Sequence, residues 1–569
     1  MIPTGPVAGF DLPRRPGFLF LPVSHVVRNL PMRTQVWMQF AGALLLMSLS
    51  SSMPPSVAAQ DQRGYASVHD AARIEEFARR EADWRNGPIV YQVIVDRFAP
   101  PDDLAERAHF YAEPRRLRSW DEEPTPGPFD DTIQVTRHEV DFWGGNLQSL
   151  DTKVGYLHDL GIDVLYLNPI HDAFTNHKYD ARDYFEVSPE YGTRQDVIEL
   201  ADTLHARGMR IVLDGVFNHM GRNSPHFQEA LRDESSPWRD WYYIGEQYVH
   251  GYRAWVDIAN LPEVNLESPA VRERIWGDPD SVVQGWLRDG VDGWRLDVAF
   301  DIGFKWLSEL TTSAHSAKSD SVIIAEVWNY PEQWMPAVDG VMNMTLRQMM
   351  LDFIDGRIAA PLFGRQVERM VEDTGIEPLL KSWVILDNHD TSRIASMVPD
   401  VEKRRLLQVL FFTLPGSPCI YYGAELGMEG VGDPGSRGPM KWELATDENG
   451  EFTWMKKLIA MRRDHRALRI GDFRLLDSSN LLAFMRHTDR IAESVYVVAN
   501  PTNRAVTEVL VIRDSKLMSY TTLQDQLSDK TITVVAGTLA VEVPPRTAMV
   551  LTPQVDQQTV NYTPYKRVW

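Results

Sequence analysis

Within Gly290–Asp301, GVDGWRLDVAFD, a glycine-stopped helix passes into a short apolar strand that carries Arg295 and Asp297 two residues apart. Alternate residues of a strand project to one face, so the guanidinium and the carboxylate stand together. A fixed cation favours the ionised acid, which is the state a carboxylate nucleophile needs. The same pair would also serve as a structural salt bridge. Two further stretches bear on the choice. SVIIAEVWN, Ser321–Asn329, is a β-branched run ending at Glu326, and WVILDNHDTSR, Trp383–Arg393, ends in Asn388, His389 and Asp390. Trp328 beside Glu326 offers apolar surroundings suited to a carboxyl that keeps its proton as a general acid. A nucleophile, an acid and a further carboxylate are the parts of a glycosidase.

These residues need a scaffold that brings distant strand ends together. An amphipathic helix, a stopping glycine and a β-branched strand recur along the chain. Leu147–Leu160 stops at Gly161 before IDVLYLNP, Arg194–Arg207 at Gly208 before MRIVLDGVFNH, and Val271–Arg288 runs through Gly290 into the opening stretch. Glycine accepts the left-handed conformation at a helix end, so each stop marks a return from helix to strand. With Ile89–Val95, Val322–Ala325, Val341–Met344, Trp383–Leu386 and Pro418–Tyr422, eight strands are predicted. Alternating strands and helices imply an α/β fold with a parallel sheet, and eight units imply a closed (β/α)8 TIM barrel. Asp214, Asn218, His219, Asp297, Glu326 and Asp390 then all fall at strand C-termini, where such barrels carry their sites.

The expected boundaries are a leader over 1–59, an extension over 60–86, a barrel over 87–219 and 266–464, an inserted domain over 220–265, a C-terminal antiparallel β-sandwich over 465–555 and a tail over 556–569. The insertion holds Trp238, Trp241, Tyr242, Tyr243, Tyr252 and Trp255, enough for a mini-core or for a wall on which sugars stack. Arg97–Phe142 reads as a solvated excursion. Beyond the helix Phe452–Leu468 the apolar pattern turns to short alternating strands.

A net charge of -21 argues against nucleic acid and anionic membranes, which want a basic footprint, and suits a neutral polar ligand. The single cysteine, Cys419, leaves no disulfide framework and reads as a small buried hydrophobe. Arg33, the apolar run Val36–Met47 and Val57-Ala58-Ala59 have the layout of a signal peptide, with translation from Met32 and cleavage near Ala59. About 12 apolar residues fall short of the ~20 that span a bilayer. An exported, periplasmic or secreted protein without a stable membrane span is expected.

DGVFNH at 214–219, GWRLD at 293–297, AEVW at 325–328 and DNHD at 387–390 together resemble the four signature regions of the α-amylase family, glycoside hydrolase family 13. HKYDARDY at 177–184, LPEVN at 261–265 and GSPCIYYGAELG at 416–427 support this, and the resemblance covers about residues 87 to 550. It implies cleavage of α-glucosidic bonds in starch-derived glucans or malto-oligosaccharides through a covalent glycosyl-enzyme intermediate. It implies Asp297 as nucleophile, Glu326 as general acid/base and Asp390 as the third carboxylate. Arg295 would orient and ionise Asp297, His219 and His389 would bind the sugar, Tyr179 would lie beneath it, and Asp214 and Asp183 would brace the site.

EVW, LPEVN, HKYD and DPGSR followed by MKW resemble the neopullulanase and cyclomaltodextrinase branch. That branch commonly carries an N-terminal β-domain, whereas Gln60–Gly87 is too short for one, so an open cleft and a monomer are expected. The resemblance requires no cofactor for the chemistry. Many relatives hold Ca²⁺, and Asn218 matches a ligand in some of them, while DRFAPPDD replaces the usual first-strand loop. A 4-α-glucanotransferase and a catalytically silent glucan-binding scaffold are the alternatives; the second would be expected to lose one of the three carboxylates.

Overall fold

The computed structural model describes residues 68–556 and 560–569, so the expected leader and start at Met32 lie outside the described residues. Eight strands close into a barrel: β1 (Val90–Val93), β2 (Val164–Leu167), β3 (Arg210–Gly215), β4 (Gly293–Leu296), β5 (Val322–Val327), β6 (Gly340–Asn343), β7 (Trp383–Ile385) and β8 (Ser417–Tyr421). All neighbours run parallel, in chain order, with β8 pairing back to β1. The strands read as continuous apolar runs because both of their faces are covered. Val212, Val322, Ile324, Trp383, Ile385 and Cys419 fill the barrel interior, while Ile211, Leu213, Ile323, Ala325 and Val384 face the helical layer. Cys419 is 1% exposed, a buried hydrophobe as expected.

The glycine stops Gly161, Gly208 and Gly290 have φ of +95°, +75° and +111°, a region that any Cβ would strain. The helix expected over Val271–Arg288 is interrupted. Pro269–Arg272 continues into a wide turn at Glu273–Gly277, and the chain restarts as Val282–Arg288 with Ser281 accepting from the Gln284 N–H. Pro279 lacks an N–H and disfavours helical backbone before it, which splits the run. Leu147–Leu160 likewise divides into Leu147–Asp151 and Val154–Leu160.

The inserted segment after β3 has no sheet of its own among the described residues. Isolated bridges tie it together, His219 to Glu263, Tyr242 to Val264 and Ala254 to Pro262. Trp241, Tyr242 and Tyr252 pack around Phe227 as a mini-core, whereas Trp255 turns toward the cleft. The excursion after β1 is less solvated than expected: fewer than half of its residues are exposed, Tyr111, Val135 and Val140 are buried, and Arg97 lies 3.9 Å over the Trp143 ring.

Beyond the barrel, β9 (Asp472–Leu475), β10 (Leu482–His487), β11 (Val495–Asn500), β16 (Thr547–Pro553), β13 (Thr522–Asp525) and β14 (Thr531–Thr533) form one antiparallel sheet. β12 (Val506–Val511) and β15 (Thr538–Val543) form a second, and Leu510, Val541 and Val543 close on Met485, Tyr496 and Leu551 as a separate core. The sandwich seats on helix Ala360–Thr374, where Gly364 is required: a Cβ there would lie 2.4 Å from Leu475 Cδ1. The helix α1 (Val68–Ala82) is fastened from the other side, with Arg80 Nη1 donating to Asp472 at 2.7 Å. No helix among the described residues is long and apolar enough to cross a membrane.

Candidate active site

The register of β3 and β4 sets Arg295 directly opposite Asp214, both on the inward face. Arg295 Nη1 donates to Asp214 at 2.8 and 3.0 Å and to Asp297 Oδ1 at 3.0 Å, and Nη2 lies 2.8 Å from Glu326 Oε2. The guanidinium is fully buried beneath the strand ends. Asp214 also accepts from Tyr166 Oη at 2.6 Å and Tyr179 Oη at 2.9 Å, so it braces the floor. Asp183 does not reach this cluster; it holds His226 at 3.7 Å and caps the Phe185 N–H.

Immediately after Asp297 the chain must turn from strand to helix Ala299–Ala317. Val298 makes that turn in the left-handed region, φ 46° and ψ 42°, a conformation β-branched residues avoid. The strained turn points its N–H at Glu326 Oε2, 3.2 Å away. Backbone strain at such a position is held by the surrounding structure. Nothing in the local sequence announces it.

Asp297, Glu326 and Asp390 open on one cleft of about 530 Å³, together with Tyr179, His219 and His389. His389 is set by a chain of polar contacts. Its Nδ1 lies 3.0 Å from Gln92 Nε2, which also donates to Asn168, and its Nε2 lies 3.0 Å from Asp390 Oδ2. The Tyr179 ring stacks on His389 at 5.1 Å and 8°. His219 stacks on Trp255 at 5.2 Å, and its Nε2, 3.9 Å from Asp297, has no hydrogen-bond partner among the described residues. Trp255 Nε1 donates to Asp301 at 2.9 Å and so ties the inserted segment to the helix that follows Asp297.

Electrostatics divides the acids. Burial pushes the Asp297 carboxyl well above the usual carboxylate range; Arg295 opposes this, while Glu326, Asp214 and Asp390 add to it. Arg295 therefore does not by itself hold Asp297 low, as its position along the strand suggests. At Asp390 burial also works upward, but His389 and Arg437 outweigh it and hold the carboxyl well below the usual range. Burial lowers His219 to about 3, which keeps the imidazole neutral.

Trp328 meets Glu326 through its indole N–H, 3.1 Å from Oε1, and its side is 60% exposed. The contact is polar, contrary to the apolar surroundings expected of it. Asn218 is buried beside His219, its Nδ2 3.4 Å from Nδ1. Among the described residues no group of three acidic, imidazole or thiol side chains is arranged to hold a metal ion. Gln92, Asn168, Tyr166 and Val298 belong to the site without a signal of their own in the sequence, because they lie within or beside apolar strands. Trp255 stands among the aromatics expected in the insertion, and Arg437 closes the DPGSR motif, which carries no hint of its contact with His389.

Residues 92–491 match the alpha amylase catalytic domain. The chain belongs to the alpha-amylase family. This family member is 33% identical over 433 residues to a cyclomaltodextrinase of Bacillus sp, covering 73% of each chain. It is 32% identical over 435 residues to an intracellular maltogenic amylase of Bacillus subtilis, covering 74% of this chain and 69% of that one. Among solved structures it is similar to the cyclic alpha-maltosyl-(1→6)-maltose hydrolase from Arthrobacter globiformis, with a TM-score of 0.69 and 28% identity over 83% of this chain and 99% of that chain. These relatives agree with the branch that the motifs resemble, and this alpha-amylase family member is a glycoside hydrolase. Export, expected from Val36–Met47, is overturned by the similarity to a protein named as intracellular; that run lies outside the described residues.

Proposed function

We propose that the enzyme hydrolyses α-glucosidic bonds of malto-oligosaccharides and cyclodextrins by a retaining double displacement. The observation that carries this reading is the opening of Asp297, Glu326 and Asp390 on one cleft above the shared Arg295. Asp297 attacks the anomeric carbon and forms a glycosyl-enzyme, while Glu326 passes its proton to the departing glycosidic oxygen. Glu326 then takes a proton from water, and the hydroxide equivalent displaces Asp297. Asp390, ionised and held by His389 and Arg437, binds sugar hydroxyls and faces the positive charge that develops at the transition state. The ring of Tyr179 and the free Nε2 of His219 hold the glucosyl unit at the bond to be cleaved. The carboxylates supply the chemistry without a cofactor.

Support for the substrate class comes from similarity to a cyclomaltodextrinase and to a hydrolase of a cyclic maltosyl-maltose. A second activity, transfer of the glycosyl unit to a sugar, is favoured by one feature. Phe300 and Trp328 line the cleft with 63% and 60% of their surfaces exposed, an apolar seat for an acceptor ring in place of water. Asp297→Asn and Glu326→Gln should each remove nearly all cleavage of maltotriose and cyclodextrin with unchanged circular dichroism. Substantial turnover by either variant would overturn the assignment. Chromatography of wild-type products from maltotriose separates the activities, since transfer yields chains longer than three units.

A further inference from the structure

A second cavity, away from the cleft, is larger than it. It has a volume of about 750 Å³ and lies between α1, the end of helix Ala360–Thr374 and the edge of the C-terminal sandwich. α1 precedes the N-terminal end of β1, and Ile376, another wall residue, opens the short helix that leads into the N-terminal end of β7. The cavity therefore sits at the barrel end opposite the carboxylates.

Its walls carry four basic residues and four aspartates, so neither an anion nor a cation meets a field of one sign. Arg73 pairs with Asp472, and Lys516 lies 2.6 Å from Asp70. Arg474 and Arg513 have no carboxylate partner among the described residues. Each spends one end on a backbone carbonyl, Arg474 Nη1 on Arg513 at 2.7 Å and Arg513 Nη2 on Leu475 at 2.9 Å. His487 lines the cavity without a hydrogen-bond partner among the described residues, and burial lowers it to about 4, leaving a neutral ring with one donor and one acceptor. Phe473, tilted 31° against Phe484 at 5.2 Å, and Ile491 provide an apolar side.

Planar guanidinium and carboxylate groups in alternation match the paired hydroxyls of a neutral polyol, and an apolar side matches the face of a pyranose ring. We infer that this cavity is a second binding site for a short α-glucan chain, seated on Phe473 and held by Arg474, Arg513 and His487. The inference rests on the proposed substrate class and extends it to a site that does no chemistry. A chain end held there keeps long glucans associated with the enzyme between cleavages.

The test is calorimetric titration of the full-length Asp297→Asn variant with maltotetraose. Two binding events per chain are expected. Tyr179→Ala added to that background should remove the cleft event, and Arg474→Met or His487→Phe should each remove the other. In the otherwise wild-type enzyme, Arg474→Met and His487→Phe should leave turnover of 4-nitrophenyl α-maltoside within about twofold while raising KM for soluble starch severalfold. A single event per chain that Tyr179→Ala removes, or a second event that survives both cavity variants, overturns the inference. So does inorganic phosphate binding in the cavity where maltotetraose does not. A single event that survives Tyr179→Ala and is removed by both cavity variants would count against the catalytic reading and leave this one standing.

Discussion

Arg295 Nη2 lies 2.8 Å from Glu326 Oε2 without directing a hydrogen at it, an ion pair with no hydrogen bond. The hydrogen bonds of that guanidinium go instead to Asp214 and Asp297 through Nη1. One buried cation thus serves three carboxylates, with Asp390 close by. They cannot all ionise at little cost, and burial together with Glu326, Asp214 and Asp390 raises the Asp297 carboxyl against the pull of Arg295.

The first prediction concerns the cost of that arrangement. The folded state raises the Asp297 pKa above its unfolded value of about 3.9. Above that pH the unfolded chain gives up a proton that the folded chain keeps, so this group lowers stability as pH rises, until the folded pKa is passed. Asp297→Asn removes the group. The variant should therefore melt above the wild type at neutral pH, by about 1–2 kcal/mol in stability. The gap should close below about pH 4. Calorimetric scans of both proteins from pH 4 to 8 would show it, and a gap that widens toward acid would refute it.

His171 acts in the opposite sense. Its ring is fully buried, stacks at 6.1 Å and 12° on Trp294, and has no hydrogen-bond partner at either nitrogen among the described residues. Burial lowers its pKa to about 4. Below the unfolded value of about 6.5 the unfolded chain takes up a proton that the folded chain refuses, so stability falls as pH drops toward 4. His171→Phe should match the wild type near pH 8 and exceed it at pH 5 by up to about 2 kcal/mol. Urea titrations at the two pH values would test this, and equal differences at both would refute it.

Much of this architecture was legible because it is written locally. Six of the eight barrel strands begin and end within two residues of the apolar runs that predict them and the other two lie inside longer ones, since a strand covered on both faces must be apolar throughout. Asp297, Glu326 and Asp390 stand at the ends of such runs. The supporting residues were not legible. Gln92 sits inside β1 and Arg437 in a loop beyond β8, and only closure of the barrel brings both to His389. β9, at the sheet edge, and β13, between β16 and β14, are weakly marked because DFRL and TLQD are four residues long and largely polar, too short to show a period. Trp328 misled because residue type alone does not say whether an indole offers its face or its N–H.

Trp255 is predicted to set how the inserted segment closes on the substrate. Its indole bonds Asp301 across the cleft mouth, and Val256 and Asp257 beside it take left-handed backbone, φ 49° and 58°. Trp255→Phe keeps a ring against His219 and loses the hydrogen bond, worth about 0.5–1 kcal/mol at this half-exposed site. KM should rise about two- to fivefold with kcat little changed, because the contact positions substrate and touches no reacting atom. An equal fall in kcat and kcat/KM would instead place Trp255 in the transition state.

Arg437 is predicted to be irreplaceable by lysine. Its Nε donates to the His389 carbonyl at 2.9 Å, Nη2 lies 3.3 Å from Asp390 Oδ1 and Nη1 lies 3.2 Å from Asp433. A single ammonium cannot occupy three such directions, although it restores the charge. Arg437→Lys should keep much of the electrostatic hold on Asp390 but lose the fork that fixes its orientation. Activity on maltotriose should drop about tenfold or more in kcat/KM, with the acid limb of the pH profile nearly unmoved. Arg437→Gln should lower activity as far and also shift that limb upward, since one of the groups that oppose burial at Asp390 is gone while His389 remains. If lysine restored full activity, charge alone would account for Arg437 and the orienting role would fall.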